Sequence, residues 1–330
     1  MSDRFVVIGS NCFSAAHFVD HLLDKGHEVI GMSRSHEPPA TFAVYKKNPK
    51  IQNFKFVQAD LNKNLGEIVS VINEVKPVYV VNFAAQSMVA ESWLYPEHWF
   101  ETNVVANVKL HDQLRKMPFL KKYVHISTPE VYGSCEGDID ESKAFNPSTP
   151  YAVSRAAADM SLMSFFKNYN FPVAFTRAAN VFGPGQQLYR IVPRTIMCIK
   201  SGEKLKLHGG GKSVRSFIHI KDVADATYRA CHSGVVGNAY HLSTREQVSI
   251  REVVSMLCEL LDKPFESVVD VVEDRPGKDA AYLLDSGKAL KHLGWQPTIN
   301  LAQGLKSTID WIDADYQELL SLPQDYIHKP

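Results

Sequence analysis

The feature that most constrains the fold is a regular alternation of short apolar segments with amphipathic segments through the first half of the chain. The apolar segments are rich in Val, Ile and Phe and lack the alternation of a half-exposed strand, so they are predicted to be buried strands. They lie at Arg4–Ile8, Glu28–Met32, Phe54–Gln58, Val78–Phe83, Tyr123–Ser127 and Val173–Arg177. Helical patterns separate them, near residues 13–25, 64–75, 97–117 and 151–169. This order predicts an α/β fold with a doubly wound parallel sheet, which binds ligands at the carboxyl ends of its strands.

Beyond about residue 180 the pattern changes to loops rich in glycine and proline, with helical stretches near 190–201, 249–262 and 301–319. A length of 330 residues fits two domains at roughly 150 residues each. We predict a dinucleotide-binding domain over residues 1–178, with a contribution from parts of 215–243. The remainder, mainly residues 179–330, is predicted to form a smaller, interleaved domain that binds the substrate.

Composition excludes several classes of protein. The 36 basic residues balance the 36 acidic ones without long runs of either sign, so neither nucleic acid nor a membrane surface is an expected partner. No apolar stretch approaches the roughly 18 residues of a membrane span. The five cysteines are scattered and form no CxxC pair, which indicates reduced thiols rather than disulfides or a zinc site. We therefore expect a soluble cytoplasmic protein whose first residues form a strand rather than a signal peptide.

The turn after the first strand resembles a dinucleotide-binding turn only in part. Such a turn uses three small residues, so that the backbone bends, approaches the pyrophosphate and packs the following helix closely. Gly9 holds the first place and Ala15 the third, but Cys12 stands where the middle glycine is usual. We expect Gly9, Asn11, Cys12 and Phe13 to contact the cofactor, although an ordinary strand-to-helix turn has the same pattern.

The end of the second strand indicates which dinucleotide is bound. A carboxylate there would bind a ribose hydroxyl, but the sequence has Ser33 and Arg34, which suit a 2′-phosphate and favour NADP over NAD. The alternative is a solvated arginine at a strand end. His17 and His21 have a spacing that zinc could use, but no HExxH glutamate or third ligand is near, so we expect no metal.

The most informative pattern joins two segments. The fifth strand is followed by Thr128 and Glu130 at the predicted carboxyl edge of the sheet, and about twenty residues later Tyr151 begins a helix. Arg155 lies one turn after Tyr151 on the same face. A cation beside a phenol favours the phenolate, so we expect Arg155 to lower the pKa of Tyr151 from about 10 towards neutrality and to make it a general base.

With these residues the sequence resembles the extended short-chain dehydrogenase/reductase family, the nucleotide-sugar epimerases and dehydratases, over nearly its whole length. The resemblance implies cofactor contacts from the Asp60–Leu61 pair and from the loop Phe83, Ala84, Ala85 and Gln86, besides Tyr151 and Arg155. It implies substrate contacts at Ser87, Asn180, Arg215 and Arg275. Thr102–Asn103 and Gly294–Trp295 match further segments of the family.

Within this family, a glutamate in the place of Glu130 resembles the dehydratases, in which it removes the proton on carbon 5 of a 4-keto sugar. The resemblance thus implies a nucleotide-sugar 4,6-dehydratase with tightly bound NADP or NAD, a nucleotide-diphosphate sugar as substrate, and a homodimer. Pro129, Arg155 and Cys12 depart from the family, where Asp or Ser, Lys and Gly are usual. An epimerase or a UDP-glucuronate-type decarboxylase on the same scaffold, or a catalytically silent dinucleotide sensor, are the alternatives.

Overall fold

A single parallel sheet organises the first two-thirds of the chain. The computed structural model describes residues 2–135, 137–273 and 283–330. Seven parallel strands lie in the order β12-β7-β5-β4-β1-β2-β3. They are β1 (Arg4–Ile8), β2 (Glu28–Ser33), β3 (Phe54–Gln58), β4 (Tyr79–Asn82), β5 (Lys122–Ile126), β7 (Val173–Ala178) and β12 (Ala239–Leu242). The six predicted strands are confirmed to within one residue at each end, and the doubly wound fold is confirmed with them.

Helices cover both faces of the sheet and build a second core beyond it. In chain order they are α1 (Phe13–Asp24), α2 (Leu65–Val75), α3 (Pro96–Phe100), α4 (Asn107–Leu114), α5 (Pro150–Tyr169), α6 (Ile191–Ser201), α7 (Ile220–Ser233), α8 (Ile250–Leu260), α9 (Phe265–Val268), α10 (Gly287–Leu293) and α11 (Leu301–Leu320). Apolar side chains of α1 pack on one face of the sheet, and those of α2, α4 and α5 on the other. Helices α6, α8 and α11 share a separate buried core.

The remaining strands form short two-stranded sheets, most of them in the second half of the chain. The strands are β6 (Asp138–Ile139), β8 (Asn180–Phe182), β9 (Leu205–His208), β10 (Val214–Arg215), β11 (Phe217–His219), β13 (Val248–Ser249), β14 (Val269–Val272) and β15 (Leu283–Leu284). They pair as β8 with β11, β9 with β14, β6 with β15, and β10 with β13. Strand β12 lies at the edge of the main sheet beside β7, so residues far apart in the chain share that sheet. The division into domains near residue 178 stays a prediction.

One predicted helix is interrupted. The helical pattern at 97–117 becomes α3, a π-helical turn over Glu101–Ala106, and α4. The Asn107 side chain donates to the carbonyls of Thr102 (2.9 Å) and Asn103 (3.2 Å), and so satisfies backbone groups within the turn. This local bonding supports the wider turn, a form that is frequent at functional sites.

The topology fixes where a ligand can bind. From β1 the chain runs outward to β2 and β3, and then returns to the other side of β1 to form β4. The strand order therefore reverses between β1 and β4, and a crevice opens at their carboxyl ends. Gly9 follows β1 and Phe83 follows β4, so both predicted cofactor segments lie at this crevice.

Candidate active site

Gly9 makes the turn at the crevice possible. Its φ is +82°, and a Cβ added to it would lie 2.6 Å from the Ala84 backbone nitrogen, so only glycine fits there. Cys12 is the N-cap residue of α1. Burial raises the pKa of its thiol to about 11, so the thiol is neutral. A neutral thiol at this place adds bulk without adding a charge near a pyrophosphate.

The neighbours of Cys12 contribute less directly than the sequence suggested. The Asn11 amide donates to the carbonyls of Ser35 (2.8 Å) and His36 (2.9 Å), and so ties the turn to the loop after β2. The Phe13 side chain is buried in a core cluster that contains Val131, so its ring does not line the crevice. Only the backbone of Phe13, at the start of α1, remains for a cofactor contact.

The crevice is lined by most of the predicted cofactor residues. It spans about 840 Å³, including space open to solvent. The predicted residues among its walls are Gly9, Asn11, Cys12, Ser33, Arg34, Asp60, Leu61, Phe83, Ala84, Ala85 and Gln86. Lys329, from the far end of the chain, also lines it, and nothing in the local sequence indicated that contact.

Asn103 holds the loop after β4 in place. Its side-chain oxygen accepts from the Gln86 backbone N–H (2.8 Å), while its amide donates to the Gln86 carbonyl (3.0 Å) and to the Ser154 hydroxyl (2.9 Å). Asn103 is fully buried. Asn103 thus joins the π-helical turn, the cofactor loop and α5. The match of Thr102–Asn103 to a family segment did not indicate this positioning role.

Thr128, Glu130 and Tyr151 converge at the carboxyl edge of β5. Thr128 caps a short 3₁₀ turn whose first residue is Pro129, where a fixed φ suits the backbone. Thr149 caps α5 by accepting from the Ala152 backbone N–H (3.1 Å), which puts Tyr151 in the first turn as predicted. The Thr128 hydroxyl and the Glu130 carboxylate both act on the phenol of Tyr151, Thr128 lowering its pKa and Glu130 raising it.

The prediction of a lowered pKa for Tyr151 is wrong for the protein without a ligand. Burial, followed by the negative charge of Glu130, raises the pKa of Tyr151 to about 12. Arg155, Thr128 and Arg190 act in the opposite direction but are outweighed. Helical spacing showed the helpful cation, but it could not show how far the phenol is removed from water. Arg190, from the start of α6, is a cation that the sequence analysis missed.

Arg155 is buried at the carboxyl end of β5. Its guanidinium donates to the carbonyl of Ile126 and lies 3.4 Å from the His125 ring nitrogen Nε2. Arg155 is 2% exposed, and among the described residues its Nε and Nη1 atoms have no hydrogen-bond partner. These buried, unsatisfied donors at the tyrosine helix suit the hydroxyl oxygens of a ribose.

A buried ionic cluster supports this edge of the sheet. Asp159, one turn after Arg155, accepts from Arg177 (2.9 Å) and from the Ser127 hydroxyl (2.5 Å). Burial and the two guanidinium charges hold the pKa of His125 well below its usual range, so its ring is neutral. The cluster joins α5 to β5 and β7 directly before Thr128.

A second cleft, which spans about 1850 Å³ including space open to solvent, is lined by Asn180 and Arg215, two of the residues expected to contact the substrate. Tyr189, Arg194 and Lys206 line it too, although the sequence did not single them out. Ser87 is exposed at the end of the cofactor loop and is not among the lining residues. Arg275 lies outside the described residues.

Two further classes of site were tested. Across residues 2–135, 137–273 and 283–330, no three His, Cys, Asp or Glu side chains are grouped so that they could hold a metal ion. His17 donates to the Pro184 carbonyl (2.7 Å), and His21 lies 3.8 Å from Asp225. In the same part of the chain, no helix is long and apolar enough to cross a membrane.

Comparison with known proteins adds independent evidence. The family model described as GDP-mannose 4,6 dehydratase matches residues 6–308. A dTDP-glucose 4,6-dehydratase of Xanthomonas campestris is 34% identical over 328 residues, covering 93% of this chain and 92% of that protein. The human dTDP-D-glucose 4,6-dehydratase is 30% identical over 317 residues, or 93% of this chain and 89% of its own.

A plant relative is much longer. A trifunctional UDP-glucose 4,6-dehydratase/UDP-4-keto-6-deoxy-D-glucose 3,5-epimerase/UDP-4-keto-L-rhamnose-reductase of Arabidopsis thaliana is 34% identical over 264 residues, or 78% of this chain. This chain spans 39% of that protein.

Solved structures agree with the fold and the family. The dTDP-glucose 4,6-dehydratase DesIV of Streptomyces venezuelae, crystallised as a double mutant with NAD and DAU bound, superposes with a TM-score of 0.87 at 30% identity. The match covers 96% of this chain and 98% of DesIV. The UDP-glucose 4-epimerase of Thermotoga maritima gives a TM-score of 0.86 at 26% identity, covering 95% and 99%. This chain therefore belongs to the GDP-mannose 4,6-dehydratase family of extended short-chain dehydrogenases/reductases.

Proposed function

We propose that this protein is a nucleotide-sugar 4,6-dehydratase that works with a bound nicotinamide dinucleotide. The observation that carries the proposal is the meeting of Thr128, Glu130 and Tyr151 at the carboxyl edge of β5, the edge of the sheet at which the dinucleotide crevice opens. A carboxylate beside the phenol gives the site a second proton acceptor, which a dehydratase needs for carbon 5 and a simple epimerase does not. Solved relatives named as dTDP-glucose 4,6-dehydratases with NAD bound support the same reading.

The residues present fit a dinucleotide. Gly9 lines the crevice at the turn into α1, and the N-terminus of a helix binds a pyrophosphate well. The unsatisfied donors of Arg155 suit the ribose next to the nicotinamide. When bound, the dinucleotide supplies the acceptor and donor of the hydride that moves from carbon 4 to carbon 6 of the sugar.

Side chains of this protein carry out the proton transfers. Tyr151 accepts the proton of the 4-hydroxyl, while Thr128 donates a hydrogen bond to the oxygen that becomes the 4-keto group. That keto group acidifies carbon 5, and Glu130 removes the proton there. Pro129 has no ionisable group, so Glu130 also returns the proton to the 6-hydroxyl, which departs as water. Carbon 5 then takes a proton from solvent when the hydride reaches carbon 6. The positive charges of Arg155 and Arg190 oppose the raised pKa of Tyr151 and thereby assist its role as a base.

The choice of dinucleotide belongs to the proposal as well. The sequence favours NADP through Ser33 and Arg34, but Arg34 donates both terminal nitrogens to backbone carbonyls of Lys329 and Pro330. That contact, together with neighbours crystallised with NAD, supports NAD as the stronger candidate. Mass spectrometry of the nucleotide released from freshly denatured protein tests this choice, and NADP as the main species would restore the role of Arg34 as a phosphate ligand.

We also infer a homodimer that pairs through the tyrosine helix. Apolar side chains on and beside α5 are exposed, among them Val153 (38%), Met160 (63%) and Val105 (39%). Such residues favour burial against a second copy. Light scattering of purified protein should give twice the chain mass, and a monomer at micromolar concentration would contradict the inference. The cytoplasmic location stays a prediction.

The test of the activity uses nucleotide sugars that carry deuterium at carbon 4. A dehydratase gives a product lighter by one water, with the label at carbon 6. Loss of carbon dioxide from a glucuronate substrate would indicate the decarboxylase, and an isomer of unchanged mass the epimerase. No product with any of the GDP, dTDP, UDP and CDP sugars, from protein that retains the dinucleotide, would indicate the silent sensor.

A further inference from the structure

The last residues of the chain return to the cofactor crevice. After α11 ends at Leu320, residues 321–330 run back to the two clefts and contribute to the lining of both. The ring of His328 stacks on Tyr95 (5.2 Å between centroids, 2° between planes) and on Trp99 (5.3 Å, 7°). Its Nε2 atom lies 2.9 Å from the ring nitrogen Nδ1 of His98. The segment is therefore fixed by specific contacts.

Two predicted cofactor residues hold the end of this segment. The Lys329 carbonyl accepts from Gln86 Nε2 (2.6 Å) and from Arg34 Nη2 (3.1 Å). The other terminal nitrogen of Arg34 donates to the Pro330 carbonyl. Arg34 thus acts as an anchor for the chain end, which is a different task from binding a 2′-phosphate.

The segment forms walls and leaves both clefts open. Lys329 lines the dinucleotide crevice, while Asp325 and Tyr326 line the second cleft. The ring of Tyr326 packs edge-on against Tyr189, 5.4 Å between centroids. The segment therefore contributes side chains to the walls of both clefts.

The position of the Lys329 ammonium indicates what it can bind. Its Nζ lies 3.5 Å from the Ser35 hydroxyl, and the Asn11 amide of the phosphate turn donates to the Ser35 carbonyl. The ammonium is therefore close to the turn at which a dinucleotide diphosphate, carrying two negative charges, would lie. Within the described ranges, no carboxylate is within ion-pair distance of Lys329, so its charge is available for a phosphate oxygen.

We propose that residues 325–330 complete the dinucleotide site, with Lys329 as a phosphate ligand and with Arg34 and the His328 stack as anchors. This rests on the proposed function only in that the ligand is a nicotinamide dinucleotide. In a reaction that returns its hydride within each turnover, the dinucleotide has no need to leave, so a wall that slows its release suits the chemistry.

The experiment measures release of the dinucleotide without any turnover. Protein loaded with fluorescent etheno-NAD is mixed with excess NAD, and the dissociation rate is followed by fluorescence. Three variants are compared with the unmodified chain: one that ends at Gln324, the point variant Lys329→Ala, and Lys121→Ala as the matched control. Lys121 is an exposed lysine directly before β5, at the opposite edge of the sheet.

Lys329→Ala should release the dinucleotide about tenfold faster, as expected for one charge-assisted hydrogen bond, and the shortened chain at least as fast. The control should match the unmodified protein. Equal rates in all four proteins, or slower release from the shortened chain, would overturn the proposal, the second result because the segment would then compete with the dinucleotide. Lys329→Ala alters a single exposed side chain, so it decides the matter if the shortened chain does not fold.

The two proposals fail in different ways. A protein that binds etheno-NAD, shows the expected differences in rate and yet dehydrates no sugar would refute the dehydratase alone. A protein that dehydrates a sugar, but whose four versions release the dinucleotide equally fast, would refute the role of the terminal segment alone.

Discussion

Asp159→Asn removes the negative charge from the ionic cluster behind the candidate active site. Asp159 is 1% exposed and accepts from Arg177 and Ser127. In the described part of the chain, no other carboxylate lies within 4.0 Å of Arg177, and none lies that close to Arg155. The substitution would therefore leave the buried guanidinium of Arg177 without its counter-ion. Removing one partner of a buried ion pair typically destabilises a protein by about 3–5 kcal/mol, and we expect a loss of that size.

Urea unfolding at neutral pH, followed by tryptophan fluorescence, measures this loss. The slope of the transition should stay constant, since a changed slope would indicate a change in the unfolded ensemble or in cooperativity. Asp112→Asn is the matched control, because Asp112 also faces two cations on a helix, Arg115 and Lys116, but is exposed to solvent. The control should shift the midpoint little. If the two variants unfold at the same urea concentration, the reasoning from burial is refuted.

Three further predictions concern protons. Glu130→Gln should abolish the loss of water and the entry of solvent deuterium at carbon 5. It should also lower the pKa of Tyr151, because the carboxylate charge contributes to raising that pKa. Elimination of water at a near wild-type rate would exclude Glu130 as the base. Arg155→Ala should move the pH–rate profile to higher pH and lower its maximum, because the charge of Arg155 favours the Tyr151 phenolate. Arg155→Lys should move the profile to lower pH. An alanine variant as active as the natural protein would show that another group activates Tyr151. Burial lowers the pKa of His17 from about 6.5 to about 4, so between these pH values the unfolded chain is protonated at His17 and the folded protein is not. The free energy of unfolding should therefore be full above pH 6.5 and should fall by up to roughly 3 kcal/mol as the pH drops to 4. His17→Gln should flatten the plot of unfolding free energy against pH over that window, and an unchanged slope would contradict the burial argument.

Arg155 shows how the structure accommodates a departure from the family pattern. A guanidinium at this place is larger than the usual ammonium, and it uses one nitrogen on the Ile126 carbonyl. The neutral ring of His125 and the carboxylate of Asp159 lie beside it on β5 and α5. The cluster that makes Asp159 sensitive to substitution is thus the same one that surrounds the larger cation.

The sequence by itself determined the elements whose signal is local. Buried strands show as runs of Val, Ile and Phe, and all six that were predicted form within one residue of their expected bounds. Thr149 and Pro150 mark the start of α5, because a cap and a fixed φ act within a single turn. Their place after the fifth strand predicted that Thr128 and Glu130 lie at the carboxyl edge of the sheet. That Tyr151 joins them in one site was implied by the resemblance to the family.

The tertiary structure alone decided what depends on residues far apart in the chain. The raised pKa of Tyr151 follows from burial, which the order of residues does not express. The local sequence around Arg34 does not indicate its contact with Lys329, which is 295 residues away. That contact forms only when α11 has packed and residues 321–330 have returned to the crevice. Strand β12 joins the sheet for the same reason: its four residues give a weak local signal, and hydrogen bonding to β7 makes them a strand.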